Sequence, residues 1–228
     1  MVIKIIPAHP SVLPPEVRIA QRFVGIPTSN VIRILDAGFD AASGQAAVVM
    51  ERAGERLRDA MERQGRFDEH AALGILVQLL NGLCELGEVL HCDLKPENIM
   101  DVAGRWKIVD FGSARLAADE AARLPGLTHT EAHTVEYAAR EQIFGEAMTR
   151  ATDVYALGGI TYELLSGKRP FHDLERNAMQ QAQCSTTPSR LEPEGSELSR
   201  LVADMLEKAQ EARPTLSDIA RRLQAYLS

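Results

Sequence analysis

His91-Cys92-Asp93-Leu94-Lys95-Pro96-Glu97-Asn98, with Asp110-Phe111-Gly112 beginning twelve residues past its end, is the stretch of this 228-residue chain that decides how the rest is read. It gathers a carboxylate, a lysine and an amide around one proline turn, then adds a second carboxylate before a glycine. A polar loop followed by a strand, Trp106-Lys107-Ile108-Val109, that ends in an ordinary turn would explain each residue singly. It does not explain the four polar groups arriving together in this order. Upstream, Leu73, Leu76, Val77, Leu80 and Leu83 recur at spacings of three and four, which predicts an amphipathic helix from about Asp68 to Glu88. That helix delivers the chain to His91.

In order and spacing the stretch resembles the catalytic loop and the metal-binding turn of eukaryotic-type protein kinases. The resemblance implies an ATP- and Mg²⁺-dependent transfer of a γ-phosphoryl group to a hydroxyl, with Asp93 accepting the hydroxyl proton and Lys95 acting as a point charge beside the transferring group. Asn98 and Asp110 are the implied magnesium ligands, hard oxygen donors of the kind that ion takes together with phosphates. Met100 would support the adenine from below. His91 and Phe111 would stack in the spine that joins the two lobes.

Nearer the start, Met1 to Ile6 reads as a β-branched strand with one lysine in it, closed by Pro7 and Pro10. Val2-Ile3-Lys4 resembles the kinase strand whose lysine pairs ATP phosphates and a glutamate on the next helix. Pro14-Pro15 can open that helix, and Glu16 is the expected partner of Lys4. An edge-strand lysine and a first-turn glutamate favoured by the helix dipole are the plainer readings of the two residues. Two further strands are expected over 30–36 and 46–51, joined by a turn at 40–44. They resemble the fourth and fifth strands of the small lobe, which makes Met50 the gatekeeper behind the adenine and the backbone from Glu51 to Ala53 the hinge that binds it. No glycine-rich G-x-G-x-x-G loop occurs in the chain. The expectation is therefore an α+β, bilobal kinase-like fold with a truncated small lobe (1–53) and a mainly helical large lobe (54–228). The lysine strand would then form an exposed sheet edge, open to a second copy or a partner chain.

Downstream, Leu57 to Gln64 reads as a short helix and Asn98 to Val109 as a hairpin. The run from Ser113 to Ala139 reads as a mobile activation segment, broken by Pro125-Gly126. Thr134 to Glu141 resembles its T-x-x-Y-x-A-P-E end, with Arg140 in place of the proline; Glu141 would pair with Arg213. Cys92 stands where the family carries an arginine that answers a phosphorylated residue, so activity is expected not to depend on phosphorylation at Thr128 or Thr130. Cys92 is otherwise a small half-buried side chain or a reactive thiol. From Asp153 to Leu165 the chain is apolar on nearly all sides, as in a helix buried mid-lobe. Asp153 at its start can cap the helix and, by resemblance, hold the backbone of the catalytic loop; a simple helix-cap aspartate is the plainer reading. A weaker helix over 174–183 and two amphipathic helices, after Ser196 and after Pro214, complete the lobe.

Composition sets the outer bounds. With 45% hydrophobic and 25% charged residues the chain is an ordinary globular one, and its net charge of −7 argues against a nucleic-acid partner. No apolar run approaches the ~18 residues that span a bilayer, and Met1 to Ile6 is too short for a leader. Three widely spaced cysteines indicate neither a disulfide framework nor a zinc site, so a reducing cytoplasm is expected. The primary expectation is a serine/threonine protein kinase with a protein substrate. Two rivals remain open at this point: a pseudokinase scaffold, which the missing glycine loop favours, and a small-molecule phosphotransferase.

Overall fold

The computed structural model describes residues 1–7, 13–40, 43–121, 135–172, 174–192 and 196–227. Strand β1 (Val2–Pro7), helix α1 (Pro15–Gln21) and strands β2 (Ile34–Asp40) and β3 (Gln45–Met50) make the small lobe. The sheet is antiparallel in the order β1-β3-β2, with Lys4 opposite Val48 on the central strand. Pro15 opens α1 as expected, and Val17, Ile19 and Ala20 bury its inner face.

The second strand does not lie at 30–36. Val31 and Ile32 are buried against the large lobe, and the sheet pairing begins only at Ile34, with a register shift between Ile34 and Asp36. The apolar run reported burial, whereas pairing falls on the smaller and more polar Asp36, Ala37 and Gly38.

The large lobe contains α2 (Leu57–Gln64), α3 (Glu69–Glu85), β4 (Val89–Leu90), the hairpin β5 (Ile99–Val102) and β6 (Arg105–Ile108), β7 (Arg115–Leu116), α4 (Ala117–Ala121), α5 (Arg140–Phe144), α6 (Arg150–Ser166), α7 (Arg176–Ser185), α8 (Glu197–Met205) and α9 (Leu216–Leu227). Asp68 caps α3 through a 2.8 Å bond from the Ala71 amide, and the helix ends three residues before the expected Glu88. The hairpin turns on Ala103 and Gly104, both at positive φ, the backbone that a two-residue type I′ loop requires. Helix α6 is buried on almost every side, with Thr149 capping its start and Gly167 in the left-handed conformation closing it. Its neighbours α3 and α8 complete the core.

Between Ser113 and Ala121 the expected mobile run is corrected: Arg115-Leu116 pairs with β4, and α4 follows. Thr128, Thr130, Thr134 and Pro125-Gly126 lie outside the described residues.

Helix α3 also seats the small lobe. A Cβ on Gly82 would come within 2.7 Å of the Asn30 carbonyl and 2.9 Å of Ile108, so only glycine allows this approach. One turn on, the Glu85 carboxylate accepts from the amides of Ser29, Asn30 and Val31 at 2.9, 2.9 and 3.1 Å. Strand β6 holds the same segment, through Ile108 N–H to Asn30 O at 2.8 Å and Ile32 N–H to Ile108 O at 2.9 Å.

Candidate active site

Two neighbouring segments and one distant in sequence meet at Lys4. Its ammonium lies 2.5 Å from Glu16 Oε1 on α1 and 2.7 Å from Asp110 Oδ1 at the end of β6. The first contact is the one expected from the sequence; the second is not. Burial pulls the Lys4 ammonium down, yet its bonds to Asp110 and Glu16 outweigh that and hold it above its ordinary value. Of the two carboxylates, Glu16 is pushed up, chiefly by burial. Asp110 also feels burial, but the hydrogen bond from Lys4 prevails and its carboxyl is lowered. Asp110 is thus the firmer anion. Its φ of +67° turns the chain, and its Oδ1 also accepts from the Gly112 amide at 3.0 Å.

A second cluster surrounds Asp93. Lys95 Nζ lies 2.8 Å from Asp93 Oδ2, while Asn98 Nδ2 donates to the Asp93 carbonyl at 2.9 Å and to its Oδ2 at 3.2 Å. With the Asn98 nitrogen so committed, Oδ1 is the end of its amide left to act as a ligand. The donor set of a hard-cation site is therefore chemically sound: an amide oxygen from Asn98 and a carboxylate from Asp110. The backbone ties the two clusters together, because Val109 N–H donates to Asn98 O at 2.9 Å and Val109 O bonds the His91 ring at 3.0 Å.

The loop carrying Asp93 is held from α6. Asp153 accepts from the amides of His91 and Cys92 at 3.0 and 2.9 Å, and Arg150 braces it at 2.8 Å. The helix-cap reading of Asp153 is corrected: Thr149 caps α6, and Asp153, inside its first turns, directs its carboxylate to the loop. Cys92 is buried, and burial pushes its thiol up, which removes the reactive-thiol reading. Phe111 stacks on Phe23 with ring centres 5.3 Å apart and planes 2° from parallel, and its centre lies 6.5 Å from that of His91.

On the other wall, Met50, Ala53 and Met100 are half-buried against the core. Glu51 is anchored by Lys107 at 2.6 Å and by the Arg33 amide at 2.9 Å. Gly54 N–H reaches Asp101 O at 2.7 Å, which sets the segment 51–54 against β5.

Two supporting groups escaped the sequence reading in whole or in part. Arg58 on α2 joins Glu97 of the 91–98 stretch at 2.8 Å, Glu163 of α6 at 2.9 Å, and the Tyr137 hydroxyl. Arg213 is the expected partner of Glu141, but it does more. Its guanidinium grips both Glu141 oxygens at 2.7 and 3.0 Å, and it donates to the carbonyls of Glu207, Ala151 and Lys208.

Residues 4–223 match the family described as protein kinase domain. The chain is 39% identical over 128 residues to a serine/threonine-protein kinase, PknA, of Corynebacterium glutamicum, covering 54% of this chain and 27% of that one. It is 35% identical over 198 residues to serine/threonine-protein kinase pkn2 of Myxococcus xanthus, covering 81% and 23%. To CDPK-related kinase 8 of Arabidopsis thaliana it is 30% identical over 200 residues, covering 85% and 32%. The chain spans less than a third of the length of each of these relatives.

Proposed function

Because the chain belongs to the protein kinase family, we propose that it transfers the γ-phosphoryl group of ATP to a serine or threonine hydroxyl of a protein substrate. The observation that supports this reading most is the Lys4 bridge to both Glu16 and Asp110, which draws the small-lobe cation and a large-lobe carboxylate to one point. Asp93 orients the incoming hydroxyl and takes its proton as the oxygen bonds to the γ-phosphorus and the bond from that phosphorus to the β-phosphate oxygen breaks, releasing ADP. Lys95, beside it, offsets negative charge on the transferring group. Lys4 binds phosphate oxygens while Glu16 keeps its ammonium in place. Asn98 and Asp110 would hold Mg²⁺, which when bound neutralises charge on the phosphates. Met50, Met100 and the 51–53 backbone enclose the adenine.

Purified protein incubated with labelled ATP, Mg²⁺ and a generic protein acceptor is expected to yield phosphoserine or phosphothreonine. Nucleotide binding with no transfer to any acceptor would replace this reading with a scaffold, and transfer to small hydroxyl compounds alone would replace it with a small-molecule phosphotransferase. A protein acceptor is favoured by the two bacterial relatives, each named a serine/threonine-protein kinase.

The edge of β1 extends the proposal. Among the described residues no strand pairs with its outer side, and Ile3 and Ile5 are 53% and 60% exposed. An apolar open edge is a template for another strand, and a second copy of this chain is the partner we put there. Light scattering at micromolar concentration is expected to give a dimer that Ile5→Lys shifts toward monomer; a strictly monomeric wild type would overturn this. The three cysteines are free thiols, which favours work in a reducing cytoplasm. Among the described residues no helix is long and apolar enough to cross a membrane.

A further inference from the structure

We propose that Gln142, on the first turn of α5, is a positioning residue for the transfer step, acting through the carbonyl that immediately precedes Asp93. Gln142 Nε2 donates to Cys92 O at 2.7 Å, and its Oε1 accepts from the Ala139 amide at 3.0 Å. Both partners are backbone groups of fixed polarity, so the orientation of the side-chain amide follows without ambiguity. The inference deepens the kinase reading and rests on it for its catalytic meaning.

The carbonyl it holds needs holding. Cys92 has φ +63°, a left-handed conformation that disfavours any side chain. Such a backbone persists only where its surroundings over-determine it. On the amide side, Asp153 fixes the N–H groups of His91 and Cys92. On the carbonyl side, Gln142 supplies the hydrogen bond. The Cys92 carbonyl and the Asp93 amide share one rigid peptide plane. Fixing that plane fixes the point from which the Asp93 side chain departs. A displacement of about 1 Å at a reacting group can slow a reaction on the order of 100-fold. Because Gln142 belongs to α5, which follows directly on the turn at 135–137, the anchored end of the activation segment and the base are joined by one side chain.

Three substitutions separate its two bonds. Gln142→Lys keeps a donor for Cys92 O and loses the acceptor for Ala139. Gln142→Glu keeps that acceptor and loses the donor. Gln142→Leu loses both without adding charge beside Asp93. Gln142 is only half-buried, so each can be accommodated.

The expected order of kcat is wild type, then Lys within about threefold, then Leu and Glu each lower by roughly tenfold or more, with the KM for ATP unchanged. If Glu retains activity while Lys loses it, the bond to Ala139 is the one that matters and the proposal fails. It also fails if all four proteins turn over alike, or if kcat falls only in step with the melting midpoint. Amide hydrogen exchange across residues 91–95 supplies a readout independent of turnover: faster exchange in Leu and Glu but not in Lys is expected, and equal exchange in all overturns the inference. If the variants show this exchange pattern while the wild type transfers no phosphate, the kinase reading fails and the positioning of the loop stands.

Discussion

Replacing Asp93 by Asn is expected to lower the phosphoryl-transfer rate on the order of 10²- to 10⁴-fold, the range a positioned general base contributes. The change preserves size and removes the negative charge together with the ability to accept a proton. It also dissolves the 2.8 Å pair with Lys95, while Asn98 can still donate to the backbone carbonyl of residue 93 at 2.9 Å. The loop should therefore keep its shape. The nucleotide contacts assigned to Lys4, Asp110 and the 51–53 backbone are untouched, so ATP affinity measured by calorimetry should stay within about twofold. Single-turnover kinetics with excess enzyme check the first part. An Asp93→Asn variant that keeps more than a tenth of the wild-type rate would remove Asp93 from the mechanism.

Arg213→Ala is expected to be the most destabilising single change in the large lobe. Arg213 and Glu141 have side-chain exposures of 0% and 1%, so truncating the arginine strands a carboxylate in the interior. Breaking a buried pair in this way costs about 3–5 kcal/mol. For a chain of this size each kcal/mol moves the melting midpoint by about 2–4 °C, so a fall of roughly 6–20 °C is expected in a thermal scan. Thr152 also donates to Glu141, at 2.8 Å, and softens the loss only slightly because a neutral hydroxyl cannot replace a guanidinium. The double change Arg213→Met with Glu141→Leu should recover part of the midpoint, since no charge is then left unpaired. A fall of less than about 3 °C for Arg213→Ala would mean that water reaches the site.

Much of the candidate site's geometry is legible in the sequence because its residues are packed into short spans. Asp93, Lys95 and Asn98 lie within one loop, and Lys4 finds Glu16 only twelve residues away, across a strand, a proline break and a helix start. The contacts that escaped are long-range. Arg58 reaches residues 39 and 105 positions away, and Gln142 reaches back 50 to Cys92. A polar residue on a short helix gives no local sign of such a partner, since packing of the whole lobe decides which neighbours it meets. Strand β2 was misplaced for a related reason: buried apolar residues at 31 and 32 imitate a strand while docking on β6. Helix α4 left a usable trace, because Ala117-Ala118-Asp119-Glu120-Ala121 combines strong helix formers with acidic residues suited to a first turn.

The grip of Glu85 on three consecutive amides has a mechanical corollary. The upper half of the molecule is pinned twice, once by the covalent strap at 51–54 and once where the 29–32 segment is bolted to α3 and β6. A body pinned at two points can swing about the line through them and do little else. Any parting of Lys4 from Asp110 is therefore expected to turn about these two attachments, with the 29–32 segment staying seated on α3 and β6.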